Sequence, residues 1–277
     1  MALTENLGKK VSLKIVKQVD FGVYLGNSQE KVLLPKKQVP EQAQTGDDVE
    51  VFIYRDSKDR LIATTARPGV TLHGVARLKV AQVGKIGAFL DWGLEKELLL
   101  PFKEQTRRVS AGEECLAALY IDKSSRLCAT MNVYPYLTTD SPYRKEDRVK
   151  GTVYEISRNF GAFVAVDDRY SGLIPQRELY GAVQIGDVID ARVTEVKEDG
   201  KLTLSIREKA YLQIEKDAQK VLEIIESFDG AMPFTDKASP EVIRRETQMS
   251  KNEFKRAVGH LLKEGLIQIT EHAIRLK

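Results

Sequence analysis

The stretch 160–166, FGAFVAV, decides the fold because the chain writes it three times, with FGVYLGN at 21–27 and IGAFLDW at 86–92. Gly22, Gly87 and Gly161 anchor three copies of one register. An aliphatic residue and a proline follow each glycine, at Leu34-Pro35, Leu100-Pro101 and Ile174-Pro175, with an offset of 13 or 14 residues. Eleven residues past each proline stand a glycine and an acid: Gly46-Asp47, Gly112-Glu113 and Gly186-Asp187. A basic residue and a leucine then open a last strand at Arg60, Arg126 and Lys201, 14 or 15 residues further on. Four landmarks in one order at near-constant spacing mark an internal repeat.

Each copy reads as short strands punctuated by turn residues. In the third, KGTVYEIS, GAFVAVD, SGLIP, DVIDARVTEVKED and KLTLSIRE supply five strands, enough for a small closed barrel of the OB type. Near Glu208 the apolar period changes to that of a helix, with Ala210, Leu212, Ile214, Ala218, Val221, Leu222, Ile224 and Ile225 mostly on one face. Ser239-Pro240 and Ser250 are helix starts. Phe254, Val258, Leu261 and Leu262 form the inward face of the helix after Ser250, and LIQITEHAIRLK reads as two strands. Three helices and a terminal hairpin follow the winged helix-turn-helix order, with an unusually long connection, DGAMPFTDKA. The predicted fold is mainly β with a C-terminal α+β domain: three tandem OB barrels at 1–66, 67–135 and 144–209, and a winged helix at 210–277. The segment 132–143 is the expected hinge. A helical segment from about Arg207 is expected to join the third barrel and the winged helix into one unit.

Composition fits this reading. The 277 residues are 42% hydrophobic and 30% charged, with a net charge of +3, so any anion-binding face must be local. No apolar run reaches membrane-spanning length, and a cytoplasmic location is expected. Cys115 and Cys128 read as reduced thiols, and His73, His260 and His272 lack metal-ligand spacing. There is no phosphate-binding glycine loop, no paired Cys/His motif and no nucleophile with a base beside it, so neither a cofactor nor catalysis is expected. The acid runs Asp47-Asp48 and Asp167-Asp168 read as turns. Without coiled-coil heptads a monomer is expected.

The repeats resemble S1 RNA-binding domains, most clearly the third, from GTVYEISRNFGAFVAVDDRYSGLIP through KLTLSIRE. Three such domains and a winged helix resemble the conserved virulence factor B family of bacteria across essentially the whole chain. The resemblance implies post-transcriptional regulation of other genes, virulence genes among them, through single-stranded RNA. It also implies that both aromatic positions of the phrase and the basic residue opening the last strand touch RNA. These are Phe160, Phe163 and Lys201 in the third repeat, Phe21, Tyr24 and Arg60 in the first, and Ile86, Phe89 and Arg126 in the second. Many S1 domains also carry an aspartate four residues before the basic residue. Asp56 and Asp122 match it, whereas Lys197 replaces it and adds a cation. Ile86 removes a ring, so the second repeat should bind least. Pro35, Pro101 and Pro175 stand where many S1 domains have a histidine.

Physically, two rings on an open barrel face can stack on unpaired bases at ~1–3 kcal/mol per base. A glycine between them permits a bulge that returns both to one face. The competing reading places the same rings in the barrel core and the basic residues in solvated turns. Trp92 reads either as a loop anchor or as another ring. Arg158, with Arg144, Lys145, Arg148 and Lys150, can widen a track near the third barrel. Lys251, Lys255 and Arg256 lie on the recognition helix, with Arg244 and Arg245 before it, although acids balance bases in this tail. Two other functions remain open at this point: a regulator of duplex DNA, and a scaffold that docks a protein partner.

Overall fold

A computed structural model describes residues 3–179, 183–206 and 210–277, and the side chains of 210–213 are outside that description. The chain forms two compact units, 1–206 and 207–277.

The first unit holds three five-stranded assemblies. The first comprises β1 (Lys10–Val19), β2 (Gly22–Gly26), β3 (Lys31–Pro35), β4 (Asp48–Arg55) and β5 (Leu61–Thr64), closed in the order β1-β2-β3-β5-β4. The second comprises β6 (Val75–Val83), β7 (Gly87–Asp91), β8 (Leu98–Pro101), β9 (Glu114–Ile121) and β10 (Leu127–Thr130), as a curled sheet in the order β10-β9-β6-β7-β8. The third comprises β11 (Arg148–Ser157), β12 (Gly161–Val166), β13 (Tyr170–Pro175), β14 (Val188–Val196) and β15 (Leu202–Ser205), closed like the first. Alternating residues of each fill its interior, for example Ile15, Leu25, Leu34 and Ile53 in the first and Val153, Val164, Ile174 and Leu204 in the third.

The landmarks of the repeat are the joints of the barrel. Each anchor glycine pairs with the landmark proline of the next strand: Gly22 with Pro35, Gly87 with Pro101, Gly161 with Pro175. A Cβ on these glycines would stand 2.2, 2.3 and 2.0 Å from the carbonyl oxygens of Leu34, Leu100 and Ile174. The second glycine closes strand one onto strand four. The amides of Gly46, Gly112 and Gly186 donate to the carbonyls of Ile15, Val80 and Val153, each at 2.8 Å. Those carbonyls border a β-bulge that recurs in strand one of every barrel, between Ile15 and Lys17, Val80 and Gln82, and Val153 and Glu155. The bulge therefore lies across from the phrase rather than at its glycine, which corrects the expected cause. The two aromatic positions still meet, because the first sits in the turn before strand two.

Strand four of one barrel docks onto the next barrel. Phe52 on β4 points out of the first barrel, is 1% exposed, and packs edge-on against Trp92 at 5.8 Å within the second barrel's core. Leu116 and Ala118 on β9 join Tyr154 and Ala165 of the third barrel in another cluster. Val133 is fully buried in that cluster and Tyr136 and Leu137 pack on it, so the expected hinge is a packed splice. Cys115 and Cys128 are buried free thiols of the second barrel.

The second unit contains α1 (Ala210–Ser227), β16 (Ala231–Met232), α2 (Pro240–Thr247), α3 (Lys251–Lys263), β17 (Ile267–Ile269) and β18 (Ile274–Leu276). The long connection carries β16, which pairs with β18 and adds a third strand to the hairpin. Ser239 caps α2, and Ser250 with Glu253 forms a capping box on α3. Phe254, Val258 and Leu261 are buried as expected, but Leu262 is an exposed residue, a correction to the predicted inward face. The start of the helical segment at 207–209 lies outside the described residues, so the expected coupling of the third barrel to the winged helix does too.

Candidate nucleic-acid interface

Phe160 ends the turn before β12 and is 63% exposed. Its ring centroid is 6.5 Å from that of Phe163, which lies 6.2 Å from the buried ring of Tyr154. Phe163 is half-buried, with one side on the cluster between the second and third barrels. Phe160 is thus an exposed ring, and Phe163 is a half-buried ring backed by core. The register carries the site across the sheet. Phe163 pairs with Leu173 on β13, and Leu173 pairs with Thr203 on β15, two residues past Lys201.

Lys201 donates through Nζ to Asp199 Oδ2 at 2.7 Å, and its amide bonds to Asp199 Oδ1 at 3.1 Å. Hydrogen bonds from Lys201 hold the Asp199 carboxyl below its ordinary value, with the positive charge of Lys197 adding to the effect. Asp199, and then the hydroxyl of Tyr134, raise the Lys201 ammonium above its own. Lys201 is therefore charged near neutrality. Lys197 pairs with it across the turn through the backbone, N to O at 2.9 Å, and is exposed. Arg158 is exposed in the turn that carries Phe160.

The other barrels repeat this plan. Phe21 is 58% exposed and lies 6.4 Å from the half-buried Tyr24. Arg60 grips Asp56 Oδ2 through Nε at 2.9 Å and Nη2 at 2.7 Å. Ile86 is 61% exposed, so the second barrel presents an aliphatic side chain where the others present a ring. Phe89 is half-buried, and Arg126 reaches Asp122 Oδ2 at 3.1 Å. Burial works against the charge of Asp56 and Asp122, yet hydrogen bonds from the Arg60 and Arg126 turns outweigh it and hold both carboxyls low.

On α3, Lys255 and Arg256 are exposed. Lys251 is half-buried and donates to the carbonyl of Ala238 at 3.0 Å, so its ammonium braces the fold. Arg244 is exposed and Arg245 pairs with Glu246 at 2.7 Å.

Asp199 and Tyr134, which the repeat pattern does not single out, both act on Lys201. Asp199 was masked by its offset: it lies two residues before Lys201, while the family pattern directs attention to position 197. Its Asp-Gly turn was the available clue. Trp92 is an anchor, with Nε1 donating to the carbonyl of Lys96 at 2.6 Å.

Three S1-type OB barrels and a winged helix define a protein assembled from nucleic-acid-binding domain families, which are typically non-catalytic. Residues 7–66 and 74–132 match the S1 domain family, 143–207 the S1 RNA binding domain, and 219–276 the CvfB-like winged helix domain. The chain belongs to the conserved virulence factor B family. "Uncharacterized protein YitL" of Bacillus subtilis is 32% identical over 271 residues, covering 94% of this chain and 90% of its own. "Conserved virulence factor B" of Staphylococcus aureus N315 is 26% identical over 291 residues, covering 100% and 96%. A crystal structure from Streptococcus pneumoniae TIGR4, described as a multidomain protein with nucleic acid binding domains, aligns over 99% of each chain with 28% identity and a TM-score of 0.51. No helix among the described residues is long and apolar enough to cross a membrane.

Proposed function

We propose that this chain is a non-catalytic, cytoplasmic RNA-binding protein that acts as a post-transcriptional regulator. Unpaired RNA lies on the third barrel, with the winged helix as a second contact. The observation that carries this reading is the exposed Phe160 ring beside Phe163, on the face reached by Lys201 and with Arg158 in the same turn. Stacking accepts any base, and the cations meet phosphates without reading sequence. Phe21, Tyr24, Arg60, Phe89 and Arg126 are weaker contacts in the same role. Lys255 and Arg256 are the contacts of α3, while Lys251 positions that helix. The regulatory role rests on the relatives named conserved virulence factor B.

Filter binding of poly-U RNA and duplex DNA at two salt concentrations tests this proposal. Poly-U should be retained more strongly, and retention should fall as salt rises. Phe160→Ala with Lys201→Ala should lower RNA affinity by about tenfold or more, with an unchanged melting temperature because both side chains reach solvent. Unchanged affinity in a folded double variant would remove the assignment. Stronger retention of duplex DNA would give the leading role to α3.

A further inference from the structure

We propose that the seam between the first and second barrels is a pocket for one nucleobase carrying a phosphate, distinct from the platform of the third barrel. A cavity of about 160 Å³ opens there. An apolar protein cavity of about 150 Å³ holds a benzene ring, so this one admits a base ring. Its wall is aromatic and aliphatic: Tyr54 from the first barrel, and Phe89, Trp92, Leu98 and Leu127 from the second. The indole N–H of Trp92 is already bonded to Lys96, so its ring is an apolar wall of the cavity.

The pocket takes in the two positions of the second barrel that correspond to Phe163 and Lys201, namely Phe89 and Arg126. Tyr54, brought by the β4–β5 hairpin of the neighbouring barrel, adds a ring from the first barrel to the pocket wall. The charged residues of the lining are Arg55, Asp59, Lys96, Glu97 and Arg126, and Arg55, Lys96 and Glu97 are held by hydrogen bonds. Arg55 donates to the carbonyls of Ser125 at 3.1 Å and Asp59 at 2.7 Å, and Lys96 to that of Asp56 at 2.9 Å. Glu97 accepts from Gln82 at 2.7 Å. Arg126 meets Asp122 through one nitrogen and its side chain is 53% exposed, which leaves further donors for a phosphate. A flat neutral ring with a single anionic tail matches an aromatic floor and the exposed guanidinium of Arg126. The proposal rests on the nucleic-acid reading above for the source of the base, a free mononucleotide or a residue within a strand.

Trp92 is the sole tryptophan of the chain and lines the cavity, so its emission reports occupancy. UMP, AMP and a mixed oligonucleotide are titrated into the full chain, and equilibrium dialysis measures stoichiometry independently of optical absorption. Saturable quenching with one mononucleotide bound per chain is expected. Phe89→Ala should weaken it by about tenfold, and Leu127→Phe, which fills the cavity, should remove it. Phe160→Ala should leave it unchanged. A response to the oligonucleotide but to neither mononucleotide places the base within a strand. The proposal is overturned if no titrant changes Trp92, or if folded Phe89→Ala and Leu127→Phe respond as the wild type does. A silent Trp92 alongside normal poly-U retention sinks the pocket and spares the third-barrel reading. A responsive Trp92 without poly-U retention does the reverse.

Discussion

Gly161 adopts a φ of +117°, and its absent Cβ leaves room for the Ile174 carbonyl, which would otherwise stand 2.0 Å from it. Strain and close approach coincide at one residue, so Gly161→Ala should cost about 2 kcal/mol or more in urea unfolding. An unaltered midpoint would show that β13 can retreat. The repetition of the phrase made this glycine conspicuous in the sequence, but its physical partner lies in the next strand, which spacing alone does not identify. The aromatic positions were legible for the same reason, whereas the division between open Phe160 and backed Phe163 depends on a neighbouring barrel. Lys251 shows the same limit: a surface cation by helical phase, it turns to the Ala238 carbonyl once α2 and α3 pack.

Among the elements, β9 and β10 each carry a buried thiol. Burial pushes both Cys115 and Cys128 up to about 11 from an ordinary 9. The folded chain then holds protons that the unfolded chain has released, so stability is complete below pH 9 and falls as pH rises toward 11. Thermal melting across that range should decline less steeply in Cys115→Ala with Cys128→Ala than in the wild type; parallel curves would refute the assignment. Strand count was readable from alternation and turn residues, whereas the sheet order, with strand three beside strand five, depends on pairing that alternation does not encode. The segment 132–143 was not, because its Pro and polar residues resemble a linker while Val133 and Leu137 find their burial only against two barrels. Leu262 follows the helical period inward, yet α3 presents it to solvent.

At the scale of the molecule, three barrels become one unit through strand four. Phe52→Ala should cost about 3–5 kcal/mol, since a fully buried ring leaves a cavity between two barrels. Urea unfolding followed by Trp92 emission would report it, and a loss below about 1 kcal/mol would mean the barrels dock by other contacts. The positions that dock in β4 and β9 are Phe52 and Tyr54, then Leu116 and Ala118. In β14 the corresponding places hold Asp190, Arg192 and Thr194, and Arg192 is tied to Glu146 at 2.9 Å. An apolar pair there would present a sticky end, inviting head-to-tail growth into an open filament. The polar third copy lacks that apolar pair, so the docking made by β4 and β9 has no equivalent in the residues of β14.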